Sequence, residues 1–552
     1  MMPKLKIDGV EIEVPPGTNL VEAAKVAGKE IPIFCYHPHL SIAANCRMCL
    51  VHGAQGGKPW PKAAPACQTI AAEGMEIDTV SEKTQAVRKG VLEFILINHP
   101  LDCPVCDKAG ECMLQDNFFE HSNRPTRFQE HKEEKMKTYD IGPQIIFDGE
   151  RCINCTRCVR FMDEVAGESQ LAQINRGDRS VIAPAEGKQL DHPYAMNTVD
   201  ICPVGALLGK DFRFQKRVWF LQATQSVCPG CARGCNVNVD AGKNDNEVYR
   251  IKPRENAAVN GPWMCDDGRW TYHRARERRF GKATIKDKGE LKEVALDVAL
   301  RQAVTVLKSH LGKPTLAVGV SPHWTAEDIF TAATLQKSLF KAPTYALTGL
   351  AGWKGDNFLK LTDRNPNRRG ATAIHEALGL KGVLDGNALL TAIESGKVKA
   401  LVLLGTELPT EDHDRLKAAF ARLEACVVFS SEKDAATSLA DVAIPVSAFT
   451  EMDGLWVNGF GRVQRVRPAH RFPGDGQPGW RALKGLARLL DVNVKANTVE
   501  QVLGELAAEV PLFNGLTHES VGELGVARGK ESVAPRKTGE GKPPEDFTLP
   551  AL

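Results

Sequence analysis

Aromatic residues make up only 6% of the 552 residues, and the charges almost cancel: 70 basic against 68 acidic side chains, a formal net charge of +2. That balance removes any global electrostatic case for a nucleic-acid or acidic-membrane partner. No apolar run approaches the ~18 residues of a membrane-spanning helix; the densest, residues 91–97, contains Glu93. The opening Met1-Met2-Pro3-Lys4-Leu5-Lys6 has neither the apolar core of a secretory signal nor the Arg- and Ser-rich face of an organellar presequence. A reducing compartment is therefore expected. There is no GxxxxGK[ST] loop. The one GxGxxG, Gly474-Asp475-Gly476-Gln477-Pro478-Gly479, follows no strand, contains a proline and reads as a surface loop. HExxH and GxSxG are also missing, so no catalytic residue is expected.

Cysteine is scarce only in the back half, where Cys426 stands alone. The other fifteen of the 16 lie between residues 35 and 265. This is too sparse for a disulfide-stapled scaffold and dense for an ordinary cytosolic enzyme, so the thiols read as metal ligands. The front opens with a hairpin signal: Leu5 and Ile7, Asp8-Gly9 at the turn, then Val10, Ile12 and Val14. A short helix over 19–27, capped by Thr18 and closed by Gly28, should follow. Hairpin then helix is the start of a β-grasp layout. Cys35, Cys46, Cys49 and Cys67 come next as C-x10-C-x2-C-x17-C. One tight pair and two separate thiolates suit a [2Fe–2S] rhomb; the alternative, a four-cysteine zinc site, normally takes two tight pairs.

Past a helix-period stretch over 82–98, His99, Cys103, Cys106 and Cys112 place four ligands within fourteen residues. That spacing can wrap one [4Fe–4S] cubane with a neutral His in place of a thiolate, which makes the cluster easier to reduce. Cys152, Cys155 and Cys158, with Cys202-Pro203 far along the chain, are a ferredoxin run with a displaced fourth cysteine. Met162, Thr198, Ala195 and His192 stand where a second ferredoxin cubane would need cysteines, so one [4Fe–4S] cluster remains. Cys228, Cys231, Cys235 and Cys265 form a looser set for a third cubane. Cys426, opening the run Val427-Val428-Phe429, reads as a core hydrophobe.

From residue 290 onward, helix-period segments alternate with short apolar runs at 316–320, 400–404, 426–429 and 440–445, the pattern of a parallel α/β sheet. Helices are expected over 295–311, 326–340 and 412–423. Arg274, Arg276, Arg278 and Arg279 read as a solvated or subunit-facing patch.

The order of these motifs resembles the large iron–sulfur subunit (the 75-kDa subunit) of NADH:quinone oxidoreductase, respiratory complex I. In the back half, Asp363-Arg364-Asn365-Pro366-Asn367, Glu451-Met452-Asp453-Gly454, Asn458 and Gly461-Arg462-Val463-Gln464 resemble that subunit's molybdopterin-oxidoreductase-like domain. The resemblance implies a multidomain α/β and α+β chain. Its expected parts are a β-grasp [2Fe–2S] domain (1–80), a His-ligated [4Fe–4S] domain (81–140), a ferredoxin-like [4Fe–4S] domain (141–220), an all-cysteine [4Fe–4S] domain (221–280), an α/β domain without catalytic metal (281–524) and an extended or disordered tail (525–552). It implies electron relay from a flavin- and NADH-binding subunit towards quinone, further iron–sulfur partner subunits, and an indirect link to the membrane arm. The implied location is peripheral, on the cytoplasmic side of the inner membrane, bacterial rather than mitochondrial. The fourth set resembles an extra cluster of only some members, and no molybdenum is expected. A formate dehydrogenase large subunit, an iron-only hydrogenase or an electron-transfer subunit of an NAD-linked hydrogenase, and a multi-zinc scaffold are the competing readings.

Overall fold

The computed structural model describes residues 2–529 apart from 123, 124, 343, 381 and 411. The chain forms two compact units, Met1–Phe220 and Leu221–Leu552.

In the first unit, strands Lys4–Ile7 and Val10–Glu13 pair antiparallel through Asp8-Gly9, whose φ angles of 48° and 83° are those a two-residue hairpin turn requires. On its other side Lys4–Ile7 runs parallel to Met75–Asp78. A parallel pair needs a crossover, and here it carries helix Leu20–Val26, which buries Leu20, Val21, Ala23 and Ala24. Leu50–Gln55 and Lys58–Pro59 complete the path of the sheet, giving the β-grasp layout. The helix cap is Asn19, not Thr18: Asn19 Oδ1 accepts the Glu22 N–H at 3.0 Å. The Thr18 hydroxyl is taken by the preceding turn, donating to Pro15 O at 2.7 Å.

Helix Glu82–Leu96 follows, capped by Ser81, and helix Met113–His121 starts directly after Cys112. The ferredoxin-like part has a three-stranded sheet of Tyr139–Asp140, Ile145–Phe147 and Leu207–Gly209, with helices Arg157–Phe161 and Asn197–Ile201. Met162, Ala195 and Thr198 are buried, and Thr198 Oγ1 donates to Ala195 O.

The second unit begins with an antiparallel sheet of Leu221–Val227, Asn236–Gly242 and Val248–Pro253. Among the described residues its main sheet has eight strands. Val442–Pro445, Ala425–Ser430, Ala400–Leu404, Leu316–Val320, Thr344–Leu347 and Leu384–Asp385 lie side by side, all parallel. The first four are buried along their whole length, as a sheet covered on both faces demands. Cys426 is one of these residues, 2% exposed. Helices Leu296–Leu307, Ala326–Leu335 and His413–Phe420 are shorter than the expected segments. The first ends before its apolar pattern does. The second passes into a π turn, Gln336–Phe340. The third starts only after its cap, Asp412.

The parallel sheet carries one addition, and two expectations are corrected. An antiparallel hairpin, Ala283–Asp287 with Glu290–Val294, extends the sheet edge; its outer strand is mostly exposed and so carries no apolar run. Two of the four clustered arginines are not a solvated patch, since Arg274 pairs with Glu432 and Arg279 with the fully buried Glu451. The GxGxxG run is only partly a surface loop. Gly479 is buried and opens helix Gly479–Arg488, where a Cβ would lie 2.2 Å from the Trp324 ring.

Of the expected tail, Val526–Ala527 pairs as a short strand with Arg462–Val466, and residues 530–552 lie outside the described residues. Among the described residues no helix is long and apolar enough to cross a membrane.

A buried ion pair ties the far end of this unit to its centre. Glu327 accepts from His518 Nε2 at 2.8 Å and from the Leu455 N–H at 2.9 Å. Burial alone would depress the imidazole, but the bond to Glu327 outweighs it and holds His518 above its usual range. The stability from this charge is complete below ~6.5 and is lost as pH rises through the folded value. Glu327→Gln is expected to cost about 3 kcal/mol and to flatten that pH dependence, read from thermal unfolding followed by tryptophan fluorescence between pH 5.5 and 9.

Candidate metal centres

None of the 16 cysteines forms a disulfide. In the first set, Cys35 makes side-chain contacts with Cys46 and Cys67, and Cys67 with Cys49, so the four thiols form one continuous chain. The Cys35 N–H also donates to Cys46 Sγ at 3.4 Å. Hydrogen bonds from Cys46 and Cys67 hold Cys35 far below the usual thiol range, while the same contacts and burial push Cys46 and Cys67 far above it. The bare set therefore shares negative charge unevenly, and loading it with metal must release the remaining protons.

In the second set, His99, Cys103, Cys106 and Cys112 line one cavity of about 670 Å³, together with Arg151 and Gly205. Burial, then Lys132 and Arg151, hold the His99 imidazole down at about 4, so it is neutral near pH 7. Its Nδ1 is buried with no hydrogen-bond partner among the described residues. Burial pushes Cys106 up and Cys112 to about 11. Gly205 is required here by close approach, because a Cβ would sit 2.2 Å from Cys106 Sγ. Cys112 Sγ lies 3.9 Å from Pro203 O. One wall of the second set is thus the Cys202-Pro203-Val204-Gly205 turn of the third.

In the third set, Asn154 and Thr156 take left-handed backbone conformations, φ 51° and 59°. The Asn154 N–H donates to Cys152 Sγ at 3.4 Å. Cys152, Cys155 and Cys158 lie within electrostatic reach of one another and of Cys202. Burial pushes Cys152 to about 12, Cys155 to about 11 and Cys158 well above the usual thiol range. Two arginines reach from this set to the first. Arg157 donates to Tyr36 O and, at 3.1 Å, to Ile201 O. Arg160 donates to Cys35 O at 2.6 Å and to Cys155 O at 3.1 Å. Asn45 adds a bond to Asn154 O at 3.1 Å. A third arginine faces the second set: Arg151 forks onto Asp102 at 2.8 and 3.0 Å. Adjacency in space therefore runs first, third, second.

The fourth set belongs to the other unit. Cys228, Cys231, Cys235 and Cys265 are all buried. Burial pushes Cys228 to about 12 and Cys235 and Cys265 well above the usual range. The N–H groups of Gly230 and Gly268 donate to Cys228 Sγ and Cys265 Sγ, each at 3.4 Å. A Cβ on Gly268 would lie 2.9 Å from Cys228 Sγ and 3.4 Å from Cys265 Sγ, so this glycine brings the two together. The α/β fold clamps the intervening turn. Asp363 O accepts the Ala232 N–H at 2.8 Å. Asn458 Nδ2 donates to Arg233 O and Gln464 Nε2 to Gly234 O, both at 3.0 Å.

Among the described residues, no three or more His, Cys, Asp or Glu side chains are drawn together as around a single metal ion. Ligands to separate irons of one cluster need not converge on a point. The residues present fit such clusters: buried thiols that resist ionisation without a metal, an orphaned neutral imidazole nitrogen, amides aimed at sulfur, and glycines where a Cβ would strike sulfur. Sequence reasoning missed Arg151, Arg157, Arg160, Gly205 and Gly268. The signal was present in Arg151-Cys152-Ile153-Asn154-Cys155-Thr156-Arg157-Cys158-Val159-Arg160, where cations interleave with anionic ligands.

Five family models match the chain. They describe a 2Fe-2S iron-sulfur cluster binding domain (residues 2–82), the NADH-ubiquinone oxidoreductase-G iron-sulfur binding region (88–127) and the NADH-quinone oxidoreductase subunit 3 ferredoxin-like domain (142–208). A molybdopterin oxidoreductase Fe4S4 domain (221–276) and a molybdopterin oxidoreductase domain (345–489) follow. An NADH-quinone oxidoreductase subunit of Rickettsia conorii is 30% identical over 93% of this chain and 91% of its own length. The NADH-ubiquinone oxidoreductase 75 kDa subunit of Reclinomonas americana is 40% identical over 53% of this chain and 41% of its own. A solved chain of an NAD+-reducing [NiFe]-hydrogenase in its H2-reduced state is 29% identical, covering 39% of this chain and 91% of that one, with a TM-score of 0.35.

Because a methyl group at residue 205 would collide with Cys106 Sγ, Gly205→Ala is expected to cost the second set its metal. The measurement is iron per chain, which should fall by about four while the [2Fe–2S] absorption of the first set persists.

Proposed function

The chain belongs to the family of the large, 75-kDa iron–sulfur subunit of NADH-quinone oxidoreductases, and from that premise we propose that it is the electron-transfer subunit of such an enzyme, relaying electrons from a flavin- and NADH-binding partner towards quinone. The observation that carries the reading is the meeting of three separate cysteine-based sets inside one unit, walled by shared loops. Cys35, Cys46, Cys49 and Cys67 would hold a [2Fe–2S] cluster. His99, Cys103, Cys106 and Cys112 would hold a [4Fe–4S] cluster, as would Cys152, Cys155, Cys158 and Cys202, and Cys228, Cys231, Cys235 and Cys265.

When bound, these clusters take up and release single electrons. The protein's own work is positional and electrostatic. Buried thiols exclude water, amide N–H groups donate to sulfur, and the neutral His99 leaves its site one negative charge lighter than four thiolates would. No residue is asked to act as acid, base or nucleophile. The fourth set, clamped by the α/β fold of its own unit, serves structure more than conduction. The α/β domain carries no molybdenum. The chain sits peripherally on the cytoplasmic side of the inner membrane, docked to the flavin subunit and other iron–sulfur subunits, and reaches the membrane arm only through them.

Metal and sulfide analysis of the anaerobically purified chain tests this. The expectation is roughly 14 irons with matching labile sulfide, and neither zinc nor molybdenum in stoichiometric amount. Zinc without sulfide overturns it, as does stoichiometric molybdenum with formate oxidation.

A further inference from the structure

Arg157 and Arg160 stand between the first and third sets, and no carboxylate pairs with either guanidinium among the described residues. Arg157 is only 5% exposed. Its hydrogen-bond partners are the carbonyls of Tyr36 and Ile201, which neighbour Cys35 and Cys202, and the Met113 sulfur. Its Nε is buried with no acceptor among the described residues. Arg160 bonds to carbonyls of a cysteine from each set, Cys35 and Cys155, and to Ser41 O. A buried cation without a counter-charge is costly. The cysteines within electrostatic reach of Arg157 are Cys155, Cys202 and Cys35, drawn from both sets, and both arginines in turn favour the Cys155 thiolate.

We propose that Arg157 and Arg160 form an electrostatic bridge: two uncompensated cations shared by the [2Fe–2S] site and the neighbouring [4Fe–4S] site, which set the reduction potentials of the two together. The inference rests on the cluster assignment above. In the transfer concerned, one site loses one electron as the other gains it, and no proton or atom moves on the arginines. Each added electron raises the negative charge beside the pair, so both cations favour the reduced state at both sites. Raising the two potentials in step leaves the driving force of exchange between them unchanged, which a cation serving one site alone would alter.

The test is an EPR-monitored redox titration of the anaerobically purified holo chain, comparing wild type with Arg160→Gln, Arg157→Gln and Arg160→Lys, with iron content measured on each. A charge at this range is worth about a tenfold change in a one-electron equilibrium, or 59 mV. Each Gln variant is therefore expected to lower the ratio of reduced to oxidised centre about tenfold at both sites, with iron retained. Arg160→Lys, which keeps the charge and loses the fork, is expected to stay within about twofold of wild type. Unchanged ratios in the Gln variants overturn the proposal, and so does a Lys variant that falls as far as Gln. If the Gln variants shed iron, the Lys variant decides by the same twofold and tenfold limits. A wild-type chain without either EPR signal would refute the cluster assignment itself, a result distinct from intact signals with unmoved potentials.

Discussion

Taking a thiol out of water makes its ionised form expensive, and this chain does so at nearly every one of its cysteines. Burial pushes the thiols of Cys152, Cys155 and Cys158 and all four of the fourth set upward, several well above the usual thiol range. The thiolate that a metal needs is thus the state that the empty fold opposes. The conflict is resolved by what surrounds the sulfur: amide N–H groups held at 3.4 Å by tight turns, arginines in place of acids, and the charge of the metal itself. Front-half architecture follows from this requirement. There the loops between cysteines turn N–H groups towards sulfur, as the amides of Cys35 and Asn154 do.

The back half meets the same requirement by other means. Its buried parallel sheet is an ordinary hydrophobic construction, yet the residues that resemble a molybdenum enzyme, Asp363, Asn458 and Gln464, close on the backbone of the fourth cysteine turn. Asp363 is further fixed by Arg368 at 3.0 Å, and Asn367 links Trp324 O to the Val457 N–H. Those motifs act here as a clamp on a cysteine loop, a role that requires no bound pterin.

Much of this was legible beforehand, for a physical reason: cysteine spacing and fully apolar strand runs are local, and local patterns survive in one dimension. The hairpin through Asp8-Gly9 and the strands 316–320 and 400–404 were readable on those terms. Three kinds of feature were not. Exposed edge strands such as Glu290–Val294 carry no apolar signature. Competing caps such as Thr18 and Asn19 are separated only by a turn that engages one hydroxyl first. Contacts between distant residues, such as Arg160 with Cys35 or Gly205 with Cys106, follow no spacing rule, so the spatial order first, third, second could not be inferred from the order along the chain. Arg274 and Arg279 show the same limit from the other side: a basic run has no local mark that tells a solvated face from a row of internal ion pairs.

The turn from Cys202 to Gly205 belongs to two sites at once, closing its own and walling the cavity of the one before it. Family boundaries drawn along the sequence separate residues 88–127 from 142–208, yet these segments are not interchangeable parts. A graft that exchanged the later segment at its sequence limits would also replace a wall of the earlier one, and homologous exchange in this unit must carry both or neither. A substitution at residue 205 therefore acts on two sets of candidate ligands at once, one that includes a histidine and one made of cysteines alone.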